Sequence, residues 1–554
     1  MDYIERYKAW LNAKWISEED RKELKSIENN DGEIKERFYD ELKFGTAGLR
    51  GVLGVGSNRM NVYNVRRATQ ALANHISKFG DDAKNRGVVI SFDTRYKSKE
   101  FAREAAAVLA ANNIKVYLFP DYRPTPELSF SVLKFNCMAG IMITASHNPP
   151  QYNGYKVYWE NAAQIISPHD KEIIQEYLNV DLSKVNLKYD DYIEIDADDV
   201  DNEFINAVLQ QRINDVDFTK VSVVYTALNG TGIKIMKPLS DKLRLNIHYV
   251  EEQIVPDPEF STLRLPNPEE DDAFEYSIKL GKKVGADILT ASDPDADRVG
   301  IMAKPSFDSE EYVKLNGNQV GILLTHYILK YKRLPDNPLI VKTIVTSELV
   351  AKIAKRFNVD IVNTLTGFKW MGNLIWDLNK EGKKNFVYGF EESYGYLVGQ
   401  HARDKDSFAA IMLMIEMTAF YKSKGKTLFD AIEDIYKEYG YYLEYTWSLV
   451  IEGIDGNEKR DKIMNYLRNN PPKTLCSEKL TEFIDYINGR GNIPPSNVLS
   501  FQYGKKMKVS ARPSGTEPKV KFYFMVMDIE ERNEAEKLLD SMVEEFKKIV
   551  EEAK

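Results

Sequence analysis

Short apolar runs alternate with amphipathic segments through most of the chain, and this alternation is typical of buried strands separated by helices. Continuous apolar runs at 87–93, 114–119 and 139–144 predict strands that are covered on both faces. The segments between them, at 98–112 and 125–133, have helical character instead. The pattern therefore predicts βαβ layers with parallel strands in this part of the chain.

The same alternation returns at 221–232, at 286–291 and from 338 to 389, whereas the first 40 residues are rich in Glu, Lys and Leu and predict only helices. The last part of the chain has a different pattern, in which strand-like runs follow one another directly. The elements predicted there are helices at 461–468, 477–488 and 530–554, and strands at 498–503, 506–511 and 520–527. Consecutive strands flanked by helices indicate a smaller α+β domain.

Length and pattern together predict four domains. The chain has 554 residues, and about 150 residues is a common size for one domain. We expect three α/β domains with mixed sheets, followed by the smaller α+β domain at the C-terminal end. The expected boundaries divide the chain into the segments 1–200, 201–315, 316–440 and 441–554.

Composition indicates an ordinary folded protein with an acidic balance. Hydrophobic residues make up 43% of the chain, which excludes a largely disordered protein. The net charge is −9, from 75 Lys and Arg against 84 Asp and Glu, and it argues against a dedicated nucleic-acid binder. Small anionic ligands remain compatible with this balance, because local positive groups hold them.

Three features bear on localisation. Residues 1–43 contain many charged side chains and lack the apolar core of a signal peptide. The most apolar stretch, 408–420, contains Glu416 and is shorter than the roughly 20 residues of a membrane-spanning helix. The two cysteines, Cys137 and Cys476, form no disulfide or metal-binding pattern. We therefore expect a cytoplasmic protein with no membrane partner and no nucleic-acid partner.

The first motif with chemical potential is TASHNP at 144–149, directly after a predicted strand. Ligands bind at the carboxyl ends of strands in open parallel sheets, so Ser146 would be displayed at such an edge. A catalytic pair with His147 is disfavoured, because adjacent side chains rarely share one hydrogen-bond direction and no Gly-x-Ser-x-Gly elbow surrounds the serine. A capped turn without a catalytic role is the alternative interpretation.

The sharpest motif is DPDADR at 293–298, which also follows a predicted strand. Asp293, Asp295 and Asp297 alternate along the chain, and in an extended loop their carboxylates point the same way. Three adjacent carboxylates repel one another, so a divalent cation is the natural compensation. An EF-hand is excluded, because Arg298 stands where the calcium loop needs glycine. The oxygen cluster suits Mg²⁺ and a phosphate group, and a solvated acidic turn is the alternative.

Two further motifs offer groups for a phosphorylated sugar. The loop SARPSGTEPK at 510–519 combines a guanidinium with hydroxyls and a glycine, a combination that binds phosphate through bidentate and backbone N–H contacts. No P-loop motif is present, so a nucleoside triphosphate is not indicated. Glu391 and Glu392 follow a predicted strand and put two carboxylates in a loop suited to sugar hydroxyls. A plain surface turn and an acidic helix start are the respective alternatives.

Weaker signals come from two clusters and one lysine. The clusters TGFK at 366–369 and RDKD at 403–406 are of a type that is usually solvated surface. Lys156 is flanked by aromatic residues, which would desolvate it and lower its pKa toward that of a general base. His75 and His169 show no metal-ligand spacing and are interpreted as structural. Together, the stronger motifs indicate phosphoryl chemistry on a sugar phosphate.

In combination, these motifs resemble the α-D-phosphohexomutase superfamily, and most closely its branch of phosphoglucomutases and phosphopentomutases. The matching motifs occur in the family's order and span nearly the whole chain: FGTAGLRG at 44–51, TASHNP at 144–149, NGYKVYWEN at 153–161, DPDADR at 293–298, GFEESYG at 389–395 and RPSGTEPK at 512–519. Two loops depart from the family's pattern. In the metal-binding loop, Ala296 stands where many relatives carry glycine. The sugar loop, at 389–395, ends in Tyr394 and Gly395, and this ending leaves the preferred sugar open.

The resemblance implies four domains around a central cleft. Each domain would contribute one loop to the site, in the order phosphoserine loop, metal-binding loop, sugar-binding loop and phosphate-binding loop. Ser146 would be the phosphoserine and would bind Mg²⁺ together with Asp293, Asp295 and Asp297. Lys156 would be the candidate general base, with Arg50, His147 and Arg298 near the reacting phosphoryl group. The other implied site residues are Glu391 and Ser393 on the sugar, with Thr366, Gly367, Lys369, Arg403 and Lys405 as further substrate-binding candidates, and Arg512, Ser514, Gly515 and Thr516 on the non-reacting phosphate.

The implied activity is that of a phosphoglucomutase with glucose 1,6-bisphosphate as bound intermediate and activator. Phosphopentomutase, phosphomannomutase and hexose bisphosphate synthase activities are alternatives within the enzyme class. A non-catalytic sugar-phosphate sensor and a metal-dependent phosphatase are alternatives from other classes. Absent phosphoserine exchange would identify the sensor, and release of free phosphate would identify the phosphatase. We expect small-molecule sugar phosphates as partners, and a monomer or a homodimer.

Overall fold

Three short helices open the chain in the computed structural model, which describes residues 2–45, 48–451, 455–515 and 518–553. They are α1 (Tyr3–Leu11), α2 (Glu18–Ser26) and α3 (Asp31–Phe38). Each begins at a polar side chain that accepts a hydrogen bond from a backbone N–H of the first turn. Trp10 and Phe38 pack with Tyr63 of the following segment, so these helices cover one side of the first sheet-containing unit.

The first α/β unit contains a six-stranded mixed sheet between two helical layers. Its elements are β1 (Gly48–Val52), α4 (Val62–Ser77), α5 (Gly80–Arg86), β2 (Val88–Phe92), α6 (Ser98–Ala111), β3 (Val116–Leu118), α7 (Thr125–Lys134), β4 (Ala139–Ile143), β5 (Tyr152–Trp159), α8 (His169–Asn179) and β6 (Ile193–Glu194). The strand order is β1-β5-β4-β2-β3-β6. Strands β2 and β4 are parallel neighbours and are buried along their whole length, as their apolar runs predict.

The second α/β unit has a five-stranded sheet of order β11-β10-β9-β7-β8. Its elements are α9 (Ala197–Leu209), β7 (Ser222–Thr226), α10 (Ile233–Leu243), β8 (Asn246–Tyr249), α11 (Glu275–Val284), β9 (Ile288–Ser292), β10 (Val299–Ala303) and β11 (Val313–Leu315). Strand β7 is parallel to both β8 and β9, whereas β10 is antiparallel to β9. The sheet is therefore mixed, like the first.

The third α/β unit has a four-stranded sheet of order β13-β12-β14-β15. Its elements are α12 (Gly317–Tyr331), β12 (Pro338–Thr343), α13 (Leu349–Arg356), β13 (Asp360–Thr364), α14 (Phe368–Glu381), β14 (Asn385–Glu391), β15 (Gly395–Val398), α15 (Ser407–Lys422) and α16 (Leu428–Tyr439). Strand β12 is parallel to β13 and β14, and β15 is antiparallel to β14.

The three α/β units share one local arrangement that positions the predicted motifs. In each of them a strand from the parallel part of the sheet is followed, after a short loop, by an antiparallel strand. The loop from β4 to β5 holds TASHNP, the loop from β9 to β10 holds DPDADR, and the loop from β14 to β15 holds the residues after Glu391. Each motif thus lies at the carboxyl end of a buried strand.

The C-terminal unit is an antiparallel sheet of order β16-β21-β20-β19-β18-β17 with two helices. Its elements are β16 (Tyr441–Val450), α17 (Gly456–Asn469), β17 (Thr474–Leu475), β18 (Glu478–Asp485), β19 (Leu499–Tyr503), β20 (Met507–Pro513), β21 (Lys519–Ile529) and α18 (Arg532–Glu552). Three α/β units and one α+β unit confirm the predicted fold class.

The predicted helix at 477–488 is wrong, because most of this segment forms β18. Leu480 and Phe483 are three residues apart, which is helical spacing, and both pack against the core. A shift in the pairing with β19 between Leu480 and Glu482 marks a bulge. The bulge puts the two apolar side chains on one face of the strand, so pairing with β19 overrides a composition that favours a helix.

The apolar stretch at 408–420 forms most of α15, which is buried in the third unit. Its single charge, Glu416, is compensated inside the protein: the carboxylate accepts hydrogen bonds from the backbone N–H of Asn214 at 2.8 Å and from the Tyr327 hydroxyl at 3.0 Å. Within the described residues, no helix combines the length and the apolar character needed to cross a bilayer.

Candidate active site

Ser146 lies in the loop after β4 and points at the loop after β9. Its Oγ donates a hydrogen bond to Asp293 Oδ2 at 2.8 Å and lies 3.1 Å from His147 Nδ1. The backbone of Ser146 has a φ of +53°, a left-handed conformation that serine rarely adopts. Its own N–H donates to Thr144 Oγ1 at 2.8 Å. The strained turn therefore aims the hydroxyl at the acidic motif of the second unit.

Arg95 fixes this turn from behind and was not singled out from the sequence. Its buried guanidinium donates to the carbonyl oxygens of Ser146 and Asn148 through Nη2, and to those of Pro149 (2.9 Å) and Tyr152 (3.2 Å) through Nη1. The guanidinium also lies over the ring of Phe260 in the second unit. Arg95 follows the apolar run at 87–93, so the signal that pointed to Ser146, a polar residue at the end of a buried strand, would have found it.

Asp293, Asp295 and Asp297 form the only group of three carboxylates, imidazoles or thiolates that could share one cation within the ranges the structure describes. One oxygen of each lies within 4.8 Å of the others, and all three side chains are buried. The loop is a tight turn and not the extended segment assumed above: Ala296 has a φ of +53°, and Asp293 Oδ1 accepts from the backbone N–H groups of Asp297 (3.0 Å) and Arg298 (2.9 Å).

Two carboxylate oxygens of this group fit a bound cation. Asp295 Oδ1 and Asp297 Oδ1 are buried and have no hydrogen-bond partner. Buried polar atoms in proteins are normally satisfied, so these two oxygens mark a place for a ligand. An all-oxygen donor set is the preferred environment of Mg²⁺. The residues present therefore fit the predicted metal.

Two lysines lie against the carboxylates. Lys156 Nζ is 2.7 Å from Asp295 Oδ2 and 3.6 Å from Asp297 Oδ2, and Lys405 Nζ is 3.0 Å from Asp297 Oδ2. Burial alone lowers the pKa of Lys156, but attraction to Asp295 and Asp297 outweighs it and raises the pKa above its usual value. The predicted lowering of the Lys156 pKa is therefore wrong. Lys156 is buried as predicted, and the carboxylates keep it charged.

A further residue that the sequence analysis missed supports Asp295 from the first unit. Thr125, the first residue of α7, donates its hydroxyl to Asp295 Oδ2 at 2.8 Å, and its backbone N–H donates to the Asp295 carbonyl at 2.9 Å. Threonine at a helix start gives no distinctive sequence signal, because this is a common place for it. Its role depends on contact between two distant parts of the chain.

Arg298, Arg50 and His147 surround the serine on the open side. Arg298 forms an ion pair with Glu269, and Arg50 Nη1 donates to Asn148 Oδ1 at 3.1 Å. Burial, reinforced by the positive charges of Arg298 and Arg50, lowers the pKa of His147 well below its usual value. The imidazole beside Ser146 is therefore neutral at pH 7.

The loop of the third unit brings Glu391 and Ser393 to the same cleft. Glu391 is buried, and its Oε1 accepts the backbone N–H of Gly367 at 2.5 Å. Gly367 has a φ of +114°, a conformation that favours glycine, so the TGFK cluster forms a turn that depends on this glycine. Burial raises the pKa of Glu391, while Lys405 opposes the shift. Thr366 lies beside Gly367, and its Oγ1 is buried without a hydrogen-bond partner.

The RDKD cluster at 403–406 is buried, which contradicts its interpretation as solvated surface. Lys405 spans from Asp404 Oδ1, at 3.2 Å, to Asp297 of the metal-binding loop, at 3.0 Å. Arg403 has a different place: its backbone N–H donates to Ser129 Oγ of α7 at 2.8 Å, and its guanidinium donates to carbonyls of its own loop. Lys405 thus joins the carboxylate group, whereas Arg403 packs the third unit on the first.

The C-terminal unit contributes the loop that follows β20. Arg512 is the penultimate residue of this strand. In the loop, Ser514 N donates to the Lys519 carbonyl at 2.7 Å, and Arg460 Nη1 donates to the Ser514 carbonyl at 3.0 Å. Gly515 is exposed, and a Cβ there would meet no atom within 4 Å. Thr516 lies outside the described residues.

Lys369 of the third unit belongs to the same neighbourhood as Arg512. Burial lowers the pKa of Lys369, Asp170 opposes the shift, and the positive charge of Arg512 adds to it. The charges of these two cations from different units therefore act on one another. Such an arrangement suits an anionic group of the ligand.

Solved structures with the same architecture include proteins from two distant groups of organisms. A crystal structure described as a putative phosphomannomutase from Thermus thermophilus has a TM-score of 0.68 and 23% identity, covering 92% of this chain and 99% of that one. The open form of the exocytosis-sensitive phosphoprotein parafusin from Paramecium, described as a phosphoglucomutase, has a TM-score of 0.68 and 18% identity, covering 93% and 95%. These similarities establish the fold.

Sequence comparison adds relatives at higher identity. A phosphoglucomutase of Staphylococcus haemolyticus is 36% identical over 506 residues, covering 88% of this chain and 90% of that protein. A phosphoglucomutase of Staphylococcus aureus is 37% identical over 518 residues, covering 90% and 91%. Three family profiles, described as phosphoglucomutase/phosphomannomutase alpha/beta/alpha domains I, II and III, match residues 41–184, 202–306 and 316–439. The chain therefore belongs to the phosphoglucomutase/phosphomannomutase family, which confirms its resemblance to the α-D-phosphohexomutases.

Proposed function

We propose that the protein is a phosphoglucomutase, which interconverts glucose 1-phosphate and glucose 6-phosphate through phosphorylated Ser146 and bound glucose 1,6-bisphosphate. The observation that carries the proposal is the 2.8 Å contact between Ser146 Oγ and Asp293 in a buried carboxylate group with two unsatisfied oxygens. Phosphoglucomutases at 36–37% identity support glucose as the sugar. The proposal divides the chain into domains at about residues 200, 315 and 440, close to the ends of the matched profiles.

Asp293, Asp295 and Asp297, with an oxygen of phosphorylated Ser146, would hold Mg²⁺. When bound, this ion offsets charge on the oxygens of the transferring phosphoryl group, the main need in such reactions. Lys156, Lys405 and Arg298 add fixed positive charge around the same place. Because these groups are held by ion pairs before substrate arrives, they need little reorganisation during the reaction.

The proposed transfer breaks the bond between phosphorus and Ser146 Oγ and forms a bond to a hydroxyl oxygen of the sugar phosphate. The proton of that hydroxyl must move to a base. We assign this role to His147, whose neutral imidazole lies 3.1 Å from Ser146 Oγ. It takes the proton of the sugar hydroxyl and delivers a proton to Ser146 Oγ, so that the serine leaves as a neutral hydroxyl. Lys156 remains protonated against Asp295 and stabilises charge. In the second half of the cycle the same atoms act in reverse, after the bisphosphate has turned around.

The other loops hold the sugar phosphate while it presents one end and then the other. Glu391 and Ser393 would bind sugar hydroxyls, with the turn at Thr366 and Gly367 shaping the carboxylate position. Arg512, Ser514 and Gly515, together with Thr516, would bind the phosphate that is not reacting, and Lys369 would add a second cation.

A coupled assay tests the proposal. The full chain is given glucose 1-phosphate, Mg²⁺ and a trace of glucose 1,6-bisphosphate, and formation of glucose 6-phosphate is followed through glucose-6-phosphate dehydrogenase. We expect turnover that disappears on chelation and in Ser146→Ala. Turnover on ribose 1-phosphate in place of glucose 1-phosphate would move the assignment to a phosphopentomutase, and release of free phosphate would move it to a phosphatase.

A further inference from the structure

Lys342 is a buried lysine that the proposed reaction does not use. It lies in β12, between β13 and β14 in the sheet, and its side chain is fully inaccessible to solvent. Its Nζ donates to the carbonyl oxygens of Thr346 at 3.1 Å and Thr343 at 3.3 Å, and it lies 3.3 Å from Glu348 Oε1. A buried ammonium is tolerated only when it is paired and hydrogen-bonded. Lys342 therefore organises the turn at 343–348 that follows its strand.

One side of the 343–348 turn holds the sugar loop. The hydroxyls of Thr343 and Thr346 lie 2.7 Å apart, and each is 3.2 Å from Glu392 Oε2. Glu392 stands between Glu391 and Ser393, the residues proposed to bind sugar hydroxyls. The position of these two side chains thus depends on how the turn holds Glu392.

The other side of the same turn contacts the C-terminal unit. Lys508 of β20 donates to the Ile344 carbonyl at 3.1 Å and to Glu348 Oε1 at 3.0 Å. The side chains of Ile344 and Val345 pack in one apolar cluster with residues of the C-terminal unit, Tyr486, Val498 and Tyr523. Glu348 is therefore shared by a lysine of the third unit and a lysine of the unit that carries Arg512. Attraction to both lysines, against the effect of burial, lowers the pKa of Glu348 to about 2.

We infer that the 343–348 turn is a positioning element through which docking of the C-terminal unit sets the shape of the sugar loop, with Lys342 and Lys508 as positioning residues. When the C-terminal unit is docked, Lys508 and Lys342 hold Glu348 from two sides, and the turn presents its two hydroxyls to Glu392. When the unit moves away, Glu348 and Ile344 lose a partner and the hold on Glu392 weakens.

This coupling has a consequence for substrate binding, which rests on the proposed function. The sugar loop reaches its binding shape only while the phosphate loop is in place. Hydroxyl recognition and phosphate recognition are therefore engaged together, and a sugar that lacks the non-reacting phosphate gains little from either. Linkage of this kind commonly changes affinity by about 5- to 150-fold.

Hydrogen exchange of the full-length chain tests the coupling without reference to activity. The decisive variant is Lys508→Met, because Lys508 is half-buried and its loss leaves β12 intact. The matched control is Lys352→Met, which also breaks a contact between the third and C-terminal units. Lys352 Nζ donates to Asp528 Oδ1 at 2.5 Å and to the Tyr439 carbonyl at 2.6 Å, and neither partner belongs to 343–348 or 389–395. We expect Lys508→Met to speed amide exchange across 343–348 and 389–395, and Lys352→Met to leave both segments unchanged.

Equal exchange of 389–395 in Lys508→Met and wild type would overturn the inference, and so would an equal increase in the control. Thr346→Val should also speed exchange of 389–395, and its combination with Lys508→Met should add little, because both act on one contact. In the coupled assay, Lys508→Met should raise the KM for glucose 1-phosphate at least about fivefold, while Lys352→Met should not. A chain without mutase activity would contradict the proposed function, and the exchange result would still decide the coupling.

Discussion

Buried opposite charges define the candidate site at the scale of single residues. Burial, together with the charges of Asp295 and Asp297, raises the pKa of Asp293 well above its usual value. Burial also acts on Asp295, but Lys156 outweighs it and lowers that pKa. The three carboxylates therefore repel one another around two unsatisfied oxygens, and a divalent cation relieves that repulsion. This leads to a prediction that can be checked without substrate.

Asp293→Asn should raise the unfolding temperature of the metal-free protein and remove its response to Mg²⁺. One fewer carboxylate means less repulsion, and it also means a lost ligand. Wild type should gain about 2.7 kcal/mol at Mg²⁺ concentrations near 100 times Kd, measured as a shift of the thermal transition. Asp287→Asn, at a carboxylate that pairs with Lys422 just before β9, is the control and should keep the full Mg²⁺ response. An unchanged response in Asp293→Asn would place the cation elsewhere.

Arg95 gives a second prediction at this scale. Arg95→Met removes the donors that hold the carbonyls of the Ser146 turn, and a displacement of about 1 Å at a reacting group costs about 100-fold in rate. We expect kcat to fall by about that factor with little change in KM. Arg86→Met is the matched control, because Arg86 also donates to backbone carbonyls of the first unit, those of Asn136 and Cys137. These two residues precede the start of β4, whereas the Ser146 turn follows its end. Comparable losses in both variants would mean that the effect is general destabilisation.

Some residues of the candidate site could be predicted from the sequence, and others could not. The motif residues Ser146, Asp293 and Glu391 were found because each lies at the carboxyl end of a buried strand. Thr125 was missed, because its only distinction is a contact with Asp295, 170 positions along the chain. The direction of the Lys156 pKa shift was predicted wrongly. Its aromatic neighbours are visible in the sequence, whereas the carboxylates of the second unit that raise its pKa are not.

At the scale of elements, strands were predictable wherever an apolar run was continuous. Strands β2, β4 and β9 are buried on both faces and have such runs. The strand β18 was predicted as a helix, because a bulge gives it helical spacing of apolar residues. Helix α15 was predicted from the length of its apolar run. The hydrogen bonds that Glu416 accepts from backbone N–H groups could not be predicted, because the donors lie about 200 residues earlier.

The packing of α4 against α8 yields a prediction of pH dependence. His75 Nε2 lies 3.1 Å from His169 Nδ1, and burial, with a smaller effect of His169, lowers the pKa of His75 from 6.5 to about 4. Because the pKa is lower in the folded state, stability is complete above pH 6.5 and is lost as the pH falls toward 4. Between pH 7 and pH 5 the loss from His75 alone is about 2 kcal/mol.

His75→Gln should remove that part of the pH dependence. Urea unfolding midpoints at pH 7 and pH 5 should move closer together in the variant than in wild type. His248→Gln, on β8 of the second unit, serves as the control for general effects of losing an imidazole. If His75→Gln shows the same pH dependence as wild type, the histidine pair does not titrate as its burial indicates.

At the scale of the whole molecule, the site exists only where the units meet. The loops after β4, β9 and β14 come from three sheets that share one plan, and the antiparallel C-terminal sheet adds Arg512. The order of the motifs and the number of domains could be predicted from the chain. The joining contacts could not, because Ser146 to Asp293, Lys405 to Asp297 and Lys508 to Glu348 each link distant segments.

Phosphorylation of Ser146 is the step on which the proposed reaction depends, and peptide mass spectrometry detects it without a coupled assay. The full chain is incubated with glucose 1,6-bisphosphate and Mg²⁺, freed of small molecules and digested. We predict one phosphoryl group, on the peptide that contains Ser146, and its absence in Ser146→Ala together with loss of turnover. Turnover that persists in Ser146→Ala, or a phosphoryl group on a different residue, would contradict the account.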